Sequence, residues 1–138
     1  IVSKHLVGLL LLIYAKETIV PYIKDMRCTT AGVGVMGMMG NKGGVSAHFY
    51  LYDTAICVVC AHLAAHRENV AGRNADYQNI IEKTVFTTDT LISTPQPEHV
   101  KYLSSLRQVG LVPPDAAELS LISHDIVFWI GDLNYRID

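Results

Sequence analysis

Short apolar segments that each end in a turn or in polar residues are the feature that most constrains the fold of this chain. Residues 43–51 and 55–62 are rich in apolar and β-branched side chains, and a Tyr-Asp-Thr turn separates them. A third segment, residues 125–130, reads DIVFWI. Segments of this length and composition are typical of strands that are buried on both faces of a sheet.

A helix is predicted over residues 67–86, because Val70, Tyr77 and Ile81 fall near one face, with the polar Asn74 among them. Strands buried on both sides with helices between them indicate a layered α/β fold. The other predicted elements are a strand over residues 5–16, a short helix or turn over 17–25, a polar loop over 87–97 and a second helix over 98–109.

Size and charge exclude several classes of protein. The chain has 138 residues, half of them apolar, which is enough for one globular domain with a core. Its formal net charge of −2 argues against a nucleic-acid-binding protein, which usually has a strong basic excess, although a local basic patch is compatible with this charge. The longest apolar run, residues 6–15, is far shorter than the ~20 residues of a membrane-spanning helix, and it lacks a signal-peptide cleavage pattern.

Two of the three cysteines, Cys57 and Cys60, form a C-V-V-C sequence that resembles a redox or zinc pair. In a strand, however, residues three apart point to opposite faces, so the two thiols could not share a metal. We therefore interpret them as cysteines of the core. No disulfide framework is implied, which fits a reducing compartment.

The glycine-rich segment AGVGVMGMMGNKGG, residues 31–44, contains a literal G-x-G-x-x-G. A dinucleotide-binding fingerprint needs a strand before the glycines and a helix directly after them. Residues 24–31 are poor strand formers, and the residues after Gly37 are unsuited to a helix start, so this interpretation fails. The P-loop pattern fails as well, because Lys42 is followed by Gly43 rather than by Ser or Thr.

A phosphate loop of another kind remains consistent with this segment. Asn41 supplies an amide and Lys42 a charge suited to phosphate, while the glycines let the backbone approach a ligand closely. Met36, Met38 and Met39 place flexible apolar side chains beside that charge, as a lipid-headgroup site would require. Taken alone, the segment is also explained by a tight turn between strands with methionines in the core.

Polar clusters follow two of the predicted strands. His62 ends one of them, and Asp132 and Asn134 lie two residues apart beyond another, with Gly131 leaving room beside them. Two-residue spacing turns both side chains to one side if the chain stays extended. A carboxylate and an amide there could hold a metal ion or its water. The structural alternatives are a hydrogen-bonding histidine and an Asx turn that ends a strand.

Taken together and in order, four motifs resemble the inositol polyphosphate 5-phosphatases. The last motif matches that family's signature W-x-G-D-x-N-[FY]-R at every fixed position. The resemblance covers nearly the whole chain, although residues 87–123 look divergent and receive no role. The motifs are GNKGGV (40–45), HLAAH (62–66), RNADY (73–77) and WIGDLNYRID (129–138).

The resemblance implies an α/β fold of two packed β-sheets flanked by helices, the four-layer sandwich of the endonuclease/exonuclease/phosphatase type. Because nucleases share this fold, the fold alone does not identify the substrate. Residues 1–138 would form the central part of one catalytic domain. The family's metal-binding Glu, a P-[AS]-W-C-D-R-[IV]-L motif and a late Asp-His pair are not visible in the chain, so we expect N- and C-terminal parts to be missing and the fragment to be inactive alone.

The resemblance also implies Mg²⁺-dependent removal of the 5-phosphate from phosphoinositides, such as phosphatidylinositol 4,5-bisphosphate, or from soluble inositol polyphosphates. Asp132 would orient or deprotonate the attacking water, and Asn134 would position that water or the phosphoryl group. His62 would donate to a phosphate oxygen, and Asn41 and Lys42 would contact the substrate phosphate. Four further motif residues would support the site: Arg73, Asn74, Tyr135 and Arg136.

The expected location is the cytoplasm, with peripheral contact on cytosolic membrane faces and a phosphoinositide headgroup as the partner. No nucleic-acid partner is expected. Two alternatives remain from the sequence: a metal-dependent nuclease of the same fold, and a non-catalytic phosphoinositide-binding fragment.

Overall fold

The computed structural model describes residues 2–6, 8–33, 41–87 and 118–136. The described residues contain no helix long and apolar enough to span a membrane. Within these residues, 3₁₀ helices lie at Val20–Tyr22 and Leu121–Ser123. The regular elements are β1 (Val2–Leu6), β2 (Leu9–Ile13), β3 (Ile23–Gly32), β4 (Gly43–Leu51), β5 (Thr54–His62), α1 (Val70–Lys83), β6 (Val85–Phe86), β7 (Leu119–Ser120) and β8 (Ile126–Asp132).

The largest sheet of the described residues has the strand order β3-β4-β5-β8. The first three strands are antiparallel neighbours, whereas β5 and β8 run parallel, with α1 in the connection between them. Parallel pairing brings the carboxyl ends of β5 and β8 to the same edge, where His62 lies directly opposite Asp132. Gly43, at the start of β4, pairs with both His62 and Gly32. The polar strand ends therefore converge at one edge of the sheet.

Each face of this sheet is covered by a different layer. On one face the β1–β2 hairpin packs against apolar residues of β3 and β4, so that two β-sheets stack. On the other face α1, β6 and the second 3₁₀ helix cover β5. The buried residues facing the hairpin include Met26, Cys28, Val45 and Ala47, and those facing α1 include Cys57, Val59, Ala61, Ile80 and Phe86.

The predicted strands over residues 43–51 and 55–62 are confirmed as β4 and β5. The single strand predicted over residues 5–16 is wrong. Gly8 adopts a φ of 77°, the chain turns there, and β1 and β2 pair as an antiparallel hairpin. The short helix or turn predicted over 17–25 is confirmed in part: it corresponds to the 3₁₀ helix at Val20–Tyr22, but residues 23–25 already belong to β3.

Strand β8 confirms the predicted position of a strand but not its burial. Phe128 is 51% exposed, and the other apolar side chains of β8 except Trp129 are also exposed. The reason is that β8 is the outer strand of the sheet in the described part of the chain. The helix and loop predicted within residues 88–117 lie outside the described residues.

Residues 24–31 were predicted to be poor strand formers, and this prediction is wrong, because they belong to β3. Their polarity is accommodated by an internal ion pair. Arg27 donates from Nε and Nη2 to the two carboxylate oxygens of Asp25, at 2.8 and 2.7 Å, and both side chains are buried. The pair coincides with a register shift between Lys24 and Arg27 and with a φ of 49° at Asp25.

Neighbouring side chains stabilise the ionised form of Asp25. Burial by itself would raise its pKa, but the His48 imidazole, 3.7 Å away, and the Arg27 guanidinium outweigh it and lower the pKa to about 2. The folded protein therefore binds this proton less readily than the unfolded chain. The resulting stability is fully present above the ordinary value of 3.8 and is lost as the pH falls through about 2.

Replacement of Asp25 by Asn should lower the free energy of unfolding at pH 7 by about 3–5 kcal/mol, because it leaves a buried guanidinium without a carboxylate. It should also abolish the loss of about 2 kcal/mol that this group causes between pH 4 and pH 2. Urea unfolding across this pH range measures both effects. Asp53→Asn is the matched control, since Asp53 is fully exposed and lies 4.0 Å from Lys24. Equal stability of the two variants would contradict the prediction.

Gly131 lets β8 approach β5 closely beside the polar strand ends. Its φ is 116°, a conformation that side chains disfavour, and a Cβ there would lie 2.2 Å from the carbonyl oxygen of Ala61 on β5. No flexible side chain can move aside, because the obstacle is backbone. Glycine at this position is therefore a condition for the pairing of His62 with Asp132.

We expect Gly131→Ala to destabilise the protein by more than the roughly 1–3 kcal/mol of an unfavourable φ alone, because it adds a backbone clash. Gly8→Ala is the matched control. Gly8 also has a positive φ, of 77°, but the nearest atom that its Cβ would meet is 3.8 Å away. Urea unfolding of both variants measures the difference, and a smaller effect at Gly131 than at Gly8 would show that the β5–β8 approach tolerates a methyl group.

Candidate active site

His62 and Asp132 form the centre of the polar edge. Their strands pair in register up to these two residues, and His62 Nε2 lies 3.6 Å from Asp132 Oδ2. The His62 side chain is 19% exposed and that of Asp132 is 65% exposed. A mostly buried imidazole thus faces a carboxylate that solvent or a ligand can reach.

Lys42 joins this pair from the glycine-rich segment. Its Nζ contacts Nε2 of His62, and its backbone oxygen accepts a hydrogen bond from Val33 N at 3.2 Å. An ammonium group can only donate, so His62 presents the lone pair of Nε2 to Lys42 in this arrangement. Asn41 is exposed and precedes Lys42 at the same edge. The structure therefore brings Lys42, His62 and Asp132 together, with Asn41 adjacent in the chain.

Asn134 ties the segment after β8 to the segment after β5. Its Nδ2 donates to the Leu63 carbonyl at 2.9 Å, and its backbone N–H donates to Asp132 Oδ1 at 3.2 Å. The second bond is an Asx turn, the structural alternative considered for this motif. The turn is compatible with a functional site, because it occupies only Oδ1 of Asp132 and leaves Oδ2 facing His62. Asn134 adopts a φ of 56° in this turn.

Helix α1 begins at Val70, where the Asn69 side chain caps it by accepting from Gly72 N, and it ends at Lys83. The predicted apolar face is wrong, because Val70 and Tyr77 are exposed whereas Arg73 and Ile80 are buried. Arg73 donates to the carbonyls of the two residues at 66 and 67, at 2.6 and 2.9 Å. The helix thus buries a charged residue towards the site.

Asn74 lies among the residues of the predicted apolar face but is exposed. The Tyr135 hydroxyl donates to Asn74 Oδ1 at 2.5 Å. The Arg73 guanidinium lies over the ring of Tyr135, 4.7 Å from its centroid. Arg136 lines a pocket of about 500 Å³ formed by residues 131–136. Arg73, Asn74 and Tyr135 therefore form one group next to Asn134.

Two further residues of α1 reach the site and were not assigned a role from the sequence. Asp76 accepts a hydrogen bond from Ala64 N at 2.8 Å, and burial raises its pKa despite this bond and the nearby Lys42. Tyr77 packs against Trp129, with ring centroids 4.6 Å apart. Both residues lie in the RNADY motif, three and four positions after Arg73. That spacing puts them on one helix face and is the signal that could have identified them.

The cysteines are confirmed as core residues. Cys57 belongs to the cluster under α1 and Cys60 packs towards the hairpin, so they lie on opposite faces of β5. All three cysteines are free. Burial raises the pKa of Cys57 to about 12 and also raises that of Cys60, which keeps both thiols protonated and unreactive.

The glycine-rich segment is only partly described. Met36, Met38 and Met39 fall within residues 34–40, outside the described residues. On either side, β3 and β4 pair as antiparallel neighbours from Gly32 and Gly43 onwards. Although β3 is a strand after all, the segment leads into another strand rather than a helix, so it is not a dinucleotide-binding loop.

The donor atoms at the edge are oxygens suited to a hard cation such as Mg²⁺ or Ca²⁺. Asp132 offers an exposed carboxylate, and Asn134 offers its amide oxygen. Within residues 2–6, 8–33, 41–87 and 118–136, no group of three or more His, Cys, Asp or Glu side chains could hold a metal ion. These two residues therefore fit one part of a coordination shell.

Comparisons with known proteins identify the relatives of this chain. The model of the endonuclease/exonuclease/phosphatase family 2 matches residues 1–138. The chain is 41% identical over 134 residues to the mouse type II inositol 1,4,5-trisphosphate 5-phosphatase, 34% identical over 140 residues to type I inositol polyphosphate 5-phosphatase 2 of Arabidopsis thaliana, and 35% identical over 136 residues to human synaptojanin-2. The matches cover 97%, 100% and 99% of this chain but only 11%, 18% and 7% of those relatives.

A solved structure is also similar. It is the crystal structure of the inositol polyphosphate 5-phosphatase domain of SPsynaptojanin in complex with inositol (1,4)-bisphosphate and a calcium ion. The TM-score is 0.70 at 31% identity, and the match covers 99% of this chain and 31% of that one. The predicted fold class, a partial domain of the endonuclease/exonuclease/phosphatase type, is confirmed. The chain therefore belongs to the endonuclease/exonuclease/phosphatase family 2, and within it the chain resembles the inositol polyphosphate 5-phosphatases.

Proposed function

We propose that the protein to which this chain belongs hydrolyses the 5-phosphate of phosphoinositides or soluble inositol polyphosphates. The observation that carries the proposal is the convergence of Lys42, His62 and Asp132 at one sheet edge. The site lies at the edge where β5 and β8 end, and the Asp132 side chain there is 65% exposed, so a phosphate can approach it. The similarity to inositol polyphosphate 5-phosphatases, one of them solved with inositol (1,4)-bisphosphate, supports the choice of substrate class.

Phosphoryl transfer depends on positioning and on neutralising negative charge, and these residues supply both. Lys42 carries a full positive charge, and His62 becomes a donor to a phosphate oxygen when Nε2 binds a proton. Because the two groups contact each other in this structure, an incoming phosphate would separate them and receive both as donors. Preset donors of this kind contribute roughly 3–4 kcal/mol each in a water-poor cleft.

In this proposal Asp132 and Asn134 act on the water molecule that attacks the phosphate. The Asp132 carboxylate is exposed, and only one of its oxygens is occupied by the Asx turn, so the other can accept a proton from water. Asn134 is held by its bond to Leu63 and can orient the water or the phosphoryl group. Mg²⁺, the cofactor that we propose, would acidify that water and neutralise phosphate charge when bound.

The proposed site of action is the cytosolic face of a membrane. Met36, Met38 and Met39 stand near Lys42 in the sequence, which would allow apolar contact with lipid beside a phosphate-binding cation. A nuclease of the same fold is the second candidate, because the matching family includes endonucleases and exonucleases. A non-catalytic phosphoinositide-binding role is the third.

Replacement of Asp132 by Asn should lower kcat by roughly 10²–10⁴-fold, because it removes a proton acceptor but keeps an acceptor oxygen for the Asx turn. The assay is phosphate release by the full-length protein from phosphatidylinositol 4,5-bisphosphate vesicles, with Mg²⁺ and after chelation of Mg²⁺. Asp53→Asn, an exposed carboxylate at the far turn, should leave the rate unchanged.

An abasic DNA duplex is assayed in parallel. Cleavage of the DNA without phosphate release from the lipid would identify a nuclease. Binding of the vesicles without activity on either substrate would favour the non-catalytic role.

Replacement of Met36, Met38 and Met39 together by Ser should reduce activity on vesicles at least about tenfold more than activity on soluble inositol 1,4,5-trisphosphate, because only the vesicle presents an apolar surface. Vesicle sedimentation measures the corresponding loss of binding. Equal losses on the two substrates would exclude a membrane contact through these residues.

A further inference from the structure

We infer that helix α1 positions the catalytic groups of the proposed phosphatase and that Arg73 and Asn74 are its positioning residues, acting on Asn134 through Tyr135. The inference rests on the proposed function and deepens it. Two segments are involved: the β5 loop, residues 63–69, and the β8 loop, residues 133–136. Strand pairing fixes His62 and Asp132 themselves, so what needs a separate support is the backbone that follows them.

The Arg73 side chain binds backbone carbonyls of the β5 loop. The residue is only 1% exposed, and it donates to the carbonyls of His66 and Arg67. Its rigid guanidinium fork can reach two successive carbonyls at once, which Lys cannot do. His66 is the residue in this loop with a positive φ, of 76°, so the Arg73 bond falls where the backbone is strained.

Stability alone is a poor reason to bury Arg73. A buried guanidinium is costly unless it is paired and fully hydrogen-bonded. Within the described part of the chain, Arg73 has no carboxylate partner, and its Nε has no hydrogen-bond partner. Strained backbone and incompletely satisfied buried groups occur preferentially where function requires a fixed geometry.

The same turn of α1 also holds the β8 loop. The Arg73 guanidinium covers the face of the Tyr135 ring, and Asn74 accepts from the Tyr135 hydroxyl. Tyr135 is thus held at its face and at its tip by two successive helix residues. The preceding residue is Asn134, whose own φ of 56° is unfavourable and whose amide donates to Leu63.

These contacts link the three segments to one another. Helix α1 binds the β5 loop, the β5 loop binds Asn134, and Tyr135, the next residue, binds α1. Any shift of Tyr135 would displace Asn134 from its place beside Asp132. A small misplacement of a catalytic group can lower kcat by up to about 100-fold without changing how strongly the substrate binds. Arg73 and Asn74 should therefore affect turnover rather than KM.

The test uses the full-length protein with soluble inositol 1,4,5-trisphosphate and compares Asn74→Ala, Tyr135→Phe and Asn79→Ala. Asn79 is the matched control, since it is on the same helix and, among the residues that the structure describes, donates to the Ala75 carbonyl of that helix and to no residue of the two loops. We expect Asn74→Ala and Tyr135→Phe each to lower kcat about tenfold with KM within about twofold. The double variant should be no worse than either single one, because both remove the same bond. Asn79→Ala should match the wild type.

Arg73→Lys should lower kcat by between about 10-fold and 100-fold. If this variant does not fold, Asn74→Ala and Tyr135→Phe still decide the inference. Additive losses in the double variant, a rise in KM alone, or an equal loss in Asn79→Ala would overturn it.

Amide hydrogen exchange separates failure of the inference from failure of the proposed function. Residues 63–67 and 133–136 should exchange faster in Asn74→Ala than in Asn79→Ala, whatever the substrate is. A wild-type protein that releases no phosphate would reject the proposed function, and the exchange rates would then decide the positioning role alone. Unchanged exchange in all variants would overturn the inference.

Discussion

The parallel pairing of β5 with β8 is the interaction on which the rest of the candidate site depends. His62 and Asp132 are far apart in the chain, and only this pairing makes them neighbours. Parallel strands need a long crossover connection, and here that connection contains α1. The pairing therefore also places the helix above the sheet, with Arg73 and Asp76 within reach of the strand ends.

The site is consequently built from three kinds of support. Strand register sets His62 against Asp132, close approach at Gly131 lets the strands meet, and the side chains of α1 hold the loops that follow. Lys42 directly precedes β4, which pairs with β5 on the side opposite β8, and this antiparallel pairing places Lys42 beside His62. The charged and polar groups thus come from three separate strand ends and are presented on a rigid sheet, which is the usual way of fixing reactive side chains.

Those parts of the fold that follow from local composition could be predicted from the sequence. β4 and β5 are apolar and end in turns, and His62, Asp132 and Asn134 lie in motifs whose order is recognisable. β3 could not be predicted, because its polar residues become acceptable only when Arg27 bonds to Asp25 inside the fold. The hairpin at Gly8 could not be predicted for a different reason: a single glycine within an apolar run gives little local signal for a turn.

The helix illustrates the same limit within the site. Apolar periodicity selects Val70, Tyr77 and Ile81, yet the residue that α1 buries most completely near the loops is Arg73. Its partners are two backbone carbonyls and the ring of Tyr135, which no pattern in the helix sequence specifies. A charged residue can be buried where the surrounding backbone supplies acceptors, and this information exists only in three dimensions.

The apolar edge of β8 has a consequence for handling the protein. In the described part of the chain, this strand pairs only with β5, and Ile126, Phe128 and Ile130 remain exposed. An unpaired strand edge with apolar side chains is a template onto which another extended chain can add. Preparations limited to these residues would be prone to self-association at β8, and light scattering as a function of concentration would reveal this before any enzymatic measurement is interpreted.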